Sequence, residues 1–215
     1  YYPNKIKQII GRLNTQNLPE KDEREAVETI TELIEYYKGI FTILSSCAAR
    51  QLEEVTFRRN TIPVQELFDA AGKYFRKVTK NRTEKVELII EPMDAKVIGD
   101  VNQLRFLFEN LIDEALAVRE EGVIRLQARK DNEYIRFLFT DTRREKSVTE
   151  LNQLFYPNLA RMTSGEKGEL RGTEYLICKQ IIRDHDEFAG RRGCRINAEP
   201  AEGGGFTVYF TIPRR

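Results

Sequence analysis

Leu104, Leu107, Phe108, Leu111, Ile112 and Ala115 recur at helical spacing, which predicts a helix over 100–117 with one broad buried face. Asp100 precedes it and can accept from the free amides of the first turn, while Gln103 can reach back three residues, as in a capping box. At about 100° per residue, Asn110, Glu114 and Ala117 fall along one edge of that face. Polar groups on such an edge are either half-buried structural hydrogen-bonders or the wall of a ligand site.

Upstream, the pattern is helical and long. Residues 4–16 place Ile6, Ile9, Ile10 and Leu13 on one side, and Asn17-Leu18-Pro19 interrupts them. A second helix is predicted from Pro19 to about Arg59, with Glu20, Asp22 and Glu23 suiting its first turn. Val27, Ile34, Phe41, Ala48 and Val55 repeat every seven residues, with Ile30, Tyr37, Leu44 and Gln51 as companions. Leu33, Ile40 and Cys47 widen the seam beyond a two-stranded one, which predicts two hairpins meeting as a four-helix bundle in a homodimer. Arg58–Pro63 reads as the boundary to a second domain, giving a hairpin over 1–60 and a domain over 61–215.

Past that boundary the period alternates between helix and strand. Val64–Val78 reads as a helix, Val86–Ile90 and Lys96–Ile98 as strands, and 123–128 and 134–139 as a hairpin turning at Asp131-Asn132. Another helix is predicted over 170–184, then strands at 195–198 and 206–212 around Gly203-Gly204-Gly205. The fold class is α+β: a long helical hairpin followed by a two-layer α/β sandwich.

Composition adds exclusions. A net charge of +1 gives no broad electrostatic footprint for nucleic acid or membrane. Cys47, Cys178 and Cys194 are odd in number and have no zinc spacing, so buried thiols in a reducing compartment are expected. No stretch is long and apolar enough to span a bilayer. The expected location is cytoplasmic, and a cytoplasmic portion of a larger, membrane-tethered protein is compatible with a chain starting at Tyr1.

Four stretches carry candidate chemistry. They are Asn110-Leu111-Ile112-Asp113-Glu114-Ala115-Leu116-Ala117, Asp141-Thr142-Arg143-Arg144-Glu145, the polar run 158–171 containing Lys167 and Arg171, and Gly172-Thr173-Glu174-Tyr175-Leu176-Ile177-Cys178-Lys179. In order and spacing they resemble the ATP-binding catalytic domain of sensor histidine kinases, in the GHKL ATPase superfamily. The resemblance implies that ATP and Mg²⁺ are the cofactors. It implies that Asn110 and Glu114 hold the metal, Asp141 reads adenine, and Gly172 admits the phosphates, while Lys167 or Arg171 either meets the γ-phosphate or belongs to a simple polar loop. It also marks departures: Glu114 stands where relatives carry Asn, Ala117 where they carry Lys, and Arg143, Glu145 and Glu174 where they carry Gly. Three readings of Arg143 and Arg144 stay open: filling the pocket, contacting phosphate, or forming a solvated turn. His185, the only histidine, matches an ordinary helix-ending residue and is a poor candidate for metal or general-base work.

Two functions lead, ahead of a purely structural use as a partner-docking helical module. One is a histidine-kinase-like signalling module that transfers the γ-phosphoryl of ATP to a histidine upstream of residue 1 and then to a response regulator. In relatives that histidine precedes a Pro, here Pro3, so this stretch by itself would not autophosphorylate and no catalytic residue is assigned within it. The other is an inactive pseudokinase acting as a dimeric scaffold or conformational relay. A receiver domain is the expected partner, with no nucleic-acid contacts.

Overall fold

The computed structural model describes residues 57–156 and 173–215. The expected hairpin, its dimer seam and Pro3 lie outside the described residues, as do Lys167, Arg171 and Gly172. Eleven elements follow in order: β1 Asn60–Pro63, α1 Val64–Thr79, β2 Val86–Ile90, β3 Lys96–Gly99, α2 Val101–Leu116, β4 Gly122–Asp131, β5 Tyr134–Asp141, α3 Val148–Asn152, α4 Thr173–Phe188, β6 Ile196–Pro200 and β7 Phe206–Pro213.

Five strands form one sheet in the order β2-β4-β5-β7-β6. Only β2 and β4 run parallel; the others pair antiparallel. Along β5, burial alternates strictly: Ile135, Phe137, Phe139 and Asp141 face inward, the period-two signature of a sheet covered on one side. The covering layer is helical. Phe108 of α2 packs edge-on against Phe137 at 5.8 Å, and Phe68 of α1 does so at 6.0 Å. Phe137 and Phe210 of β7 stack at 4.9 Å with ring planes 11° apart. These rings interlock α1, α2 and the sheet through geometries that aromatic quadrupoles favour. The described residues therefore form a mixed α/β sandwich.

Two local expectations are corrected. Asn60–Pro63, read as part of a boundary, is a strand paired antiparallel with β3, Ile62 opposite Val97. Only Ile62 among its four residues is buried, so the segment is too short and too polar to show a strand period. The hairpin turn sits one residue later than expected. Asp131 pairs with Tyr134, leaving Asn132-Glu133 as a two-residue loop, with Asn132 at φ 52, a conformation that Asn tolerates better than most residues.

The cap of α2 is also rebuilt. Asp100 accepts from Asn102 N–H at 2.9 Å and Gln103 N–H at 3.1 Å, as the sequence indicates. The Gln103 side-chain oxygen, however, is buried with no partner among the described residues. The reciprocal bond comes from α4 instead: Asp100 N–H donates to His185 Nε2 at 3.1 Å. His185 Nδ1 faces the carbonyl of Ile181 at 2.8 Å, which fixes the tautomer with the proton on Nδ1. The histidine is a structural residue, as expected.

Candidate functional site

The candidate site lies where β5 ends beside the C-terminal half of α2. Asn110 and Glu114 are both buried, one turn apart on α2, on the edge the helical period predicts. Asn110 donates from Nδ2 to the carbonyl of Phe106 at 2.7 Å. Ala117 leaves that edge; it is the C-cap residue and is exposed.

Asp141 ends β5, opposite Ile124 on one side and Phe206 on the other. Its carboxylate is fully enclosed, and two arginines from the following turn close on it. Arg143 donates from Nε to Oδ1 at 2.8 Å and from Nη2 to Oδ2 at 3.0 Å. Arg144 donates from Nε to Oδ2 at 3.0 Å. The backbone N–H of Arg143 adds a bond to Oδ1 at 3.1 Å. The Asp141 and Arg143 side chains are each 1% exposed. A bidentate guanidinium–carboxylate pair is among the strongest arrangements open to these groups.

The same guanidinium groups close the end of α2. The last carbonyls of a helix have no partner within it and carry the negative end of its dipole. Arg144 Nη2 donates to the carbonyl of Glu114 at 3.4 Å, Arg143 Nη2 to that of Ala115 at 2.7 Å, and Arg82 Nη1 to that of Leu116 at 2.7 Å. No basic residue stands in the last turn of α2 itself. All three caps arrive from elsewhere in the chain.

Charge in the cluster is balanced. Arg144 Nη1 lies 4.0 Å from Glu114 Oε1, and its guanidinium stands over the Phe206 ring at 5.6 Å. Burial works against the Arg144 charge, but Tyr175, Asp141 and Glu114 outweigh it and hold the group above its usual range. Tyr175 of α4 is buried beside them. Desolvation first, then the Glu114 charge, pushes its phenol well above the ordinary tyrosine range, so it stays neutral.

Two glycines make the closure possible. At Gly122, with φ +136, a Cβ would stand 2.8 Å from Arg143 Cγ. The missing side chain leaves a track for the arginine stem. At Gly205, with φ +82, a Cβ would run into the Asp141 carbonyl and lie 2.7 Å from Thr142 Cα, so the entry to β7 crosses the turn at backbone distance. Among the described residues Asn132 is the one non-glycine with positive φ. Arg143, Arg144 and Glu145 therefore carry no positive φ in this turn.

A family model described as "Histidine kinase-, DNA gyrase B-, and HSP90-like ATPase" matches residues 99–215. The chain belongs to that ATPase family. No curated protein matches it in sequence. Among solved structures it is similar to a mycobacterial sensor histidine kinase, MprB, at 18% identity and a TM-score of 0.56, covering 74% of this chain and 99% of that one. It is similar to the histidine kinase AdeS of Acinetobacter baumannii at 11% identity and a TM-score of 0.53, covering 99% and 94%. A third, the histidine kinase ThkA in complex with the response regulator protein TrrA, gives 18% identity and a TM-score of 0.61, covering 100% of this chain and 58% of that one. The fold is that of histidine-kinase cores.

Within that family frame, the residues present can be tested against ATP. The acid expected to read adenine must offer a free carboxylate oxygen. Asp141 is in place, but both its oxygens are taken by arginines. Arg143 and Glu145 stand where the resemblance expects glycines, and Arg143 and its neighbour Arg144 point their guanidinium groups inward. The described residues therefore do not fit the adenine end of the nucleotide. Asn110 and Glu114 still share an edge of α2. Among the described residues, no group of three or more His, Cys, Asp or Glu is placed to hold a metal ion.

The inward turn of Arg143 and Arg144 is not fixed by their neighbours in sequence. Charged residues in a turn after a strand are most often solvated. The available signal was the pair of arginines two and three positions after an acid at the end of an alternating strand.

Proposed function

We propose that this histidine-kinase-like signalling module works as a pseudokinase, a conformational relay whose nucleotide pocket is closed by its own arginines. The observation that carries this reading is the Asp141 carboxylate, held by both Arg143 and Arg144. Nucleotide would have to displace a buried bidentate pair and strip the two helix-end caps that Arg143 and Arg144 supply, a cost that ordinary adenine contacts do not offset.

A relay needs two linked ends, and α2 supplies them. At its N-terminus the incoming chain is gripped. Arg58 N–H donates to Asp100 Oδ2 at 2.8 Å, and Phe57 packs against the rings of His185 at 4.9 Å and Phe188 at 5.9 Å. At its C-terminus the arginine cluster takes hold. Movement of the segment preceding Phe57 would reach the Asp141 turn through one helix, about 24 Å long at 1.5 Å per residue. The partner this reading assigns is a response-regulator receiver domain, and the working assembly is a homodimer through the 1–60 hairpin. The likeness to ThkA, solved with TrrA, supports the first of these.

The competing reading, phosphoryl transfer from ATP to an upstream histidine, draws on Asn110 and Glu114, which keep their place on α2. Titration calorimetry with ATP, with and without Mg²⁺, alongside amide NMR, separates the two. The relay reading expects no heat and unmoved amides at Asp141 and Thr142 at millimolar nucleotide. Saturable, magnesium-dependent binding that shifts those amides would sink it.

A further inference from the structure

A concavity opens away from the Asp141 cluster, among α3 with its following turn, the middle of α4, and the edge strand β6. Its volume is ≈ 460 Å³, within the range of small-ligand sites. The floor is apolar: Leu151, Phe155, Ile182 and Cys194 are all buried. Burial pushes the Cys194 thiol up to about 12, so sulfur adds no charge.

The rim has one sign. Lys179, Arg183 and Arg195 line the cleft, and among the described residues no Asp or Glu does. Lys179 Nζ donates to the Phe155 carbonyl at 3.2 Å and stands 3.8 Å from the centre of the Tyr156 ring. Arg183 and Arg195 are exposed, and among the described residues neither side chain pairs with a carboxylate. The neighbouring acid Asp186 is turned elsewhere, toward the Cys194 N–H at 2.9 Å and Arg192 at 3.2 Å.

Backbone polarity completes the site. Among the described residues β6 is the last strand of the sheet and pairs only with β7. Thr211 N–H donates to the Arg195 carbonyl at 2.9 Å, which sets the parity of the ladder: Asn197 and Glu199 bond toward β7. The N–H and C=O groups of Ile196 and Ala198 therefore point to the open edge. Both residues line the cleft. α3 packs along β6, so the space suits a compact ligand rather than a further strand.

We propose that this cleft is a binding site for a small organic anion with an apolar body. The body rests on Phe155 and Ile182, and the anionic group meets Arg183 and Arg195. The edge amides of Ile196 and Ala198 donate to its oxygens. The site shares no residue with the Asp141 cluster, so it stands whether or not nucleotide binds.

Naphthylacetate and its neutral isostere naphthylacetamide, titrated into the isotope-labelled full chain and followed by amide NMR, test this. The acid should give saturable shifts at Cys194, Ile196 and Ala198, with the amide roughly tenfold weaker because it lacks the charge. The double variant Arg183→Gln/Arg195→Gln should weaken the acid by a similar factor and leave the amide unchanged. Both arginines are exposed, so an unaltered melting temperature certifies the fold of the variant. Equal binding of acid and amide, shifts confined to other residues, or no saturation would each overturn the proposal.

Discussion

Arg143 Nε lies 2.8 Å from Asp141 Oδ1, and both side chains are almost wholly withdrawn from solvent. Two residues apart in sequence, they form an ion pair that also closes the end of α2 through the Ala115 carbonyl. The pair joins the sheet to the helix layer at the point where relatives are expected to admit adenine. The proposed closure of the pocket and the stability of the fold thus rest on the same atoms.

Removing Arg143 should therefore be costly. Arg143→Ala leaves a buried carboxylate with one guanidinium and one backbone N–H as partners, together with an uncapped carbonyl, and breaking a buried pair on one side typically costs ~3–5 kcal/mol. Urea unfolding would measure it. Arg144→Ala should cost less, because that side chain is 12% exposed and water can reach part of its site. Equal, small effects from both would refute the ranking.

Asp100→Ala should loosen both the start of α2 and the incoming chain. The carboxylate accepts from Asn102, Gln103 and Arg58 amides, and loss of an N-cap alone is worth ~1 kcal/mol. Hydrogen exchange should accelerate at Arg58 together with the first turn of α2. Acceleration in the helix without any at Arg58 would separate the linker from the cap.

His185 should make stability depend on pH. Burial pushes its imidazole below the ordinary value of 6.5, against the opposing pull of the Ile181 carbonyl and the Asp100 and Asp184 carboxylates. In the window from 6.5 down to the folded value, the unfolded chain binds more protons than the folded one, so stability falls as pH is lowered. It is fully present above the unfolded value. Denaturation midpoints measured downward from neutral pH should decline, and His185→Gln should flatten that slope. An unchanged slope in the variant would assign the decline to carboxylates instead.

Gly205→Ala should be far more damaging than an ordinary glycine replacement. A positive φ costs a side chain ~1–2 kcal/mol, and here the new methyl would also meet the backbone of Asp141 and Thr142, which cannot swing aside. Gly203→Ala, two residues earlier, shares the positive φ but has open space around it. It should show only the conformational part. Thermal melts of the two variants compare them directly.

The layered fold was legible because it rests on local periods. The spacing of Leu104, Leu107, Phe108 and Leu111 on α2, and the alternation of Ile135, Phe137 and Phe139 on β5, are properties of consecutive residues. They place the helix face and the sheet face with no knowledge of what lies opposite. The burial of Asn110 and Glu114 on one edge followed from the same arithmetic, and the motif order carried the family.

The state of the site was decided by contacts between distant segments. His185, eighty-five positions from Asp100 in the chain, supplies the bond that Gln103 was expected to make. Gly122 clears the track for Arg143, and β7 crosses the turn at Gly205. A guanidinium in a turn is stable in water or against a buried carboxylate and open carbonyls, and its sequence neighbours do not distinguish the two. Only the packed arrangement brings Asp141 and the end of α2 within reach of the same arginine, and that proximity turns the two side chains inward.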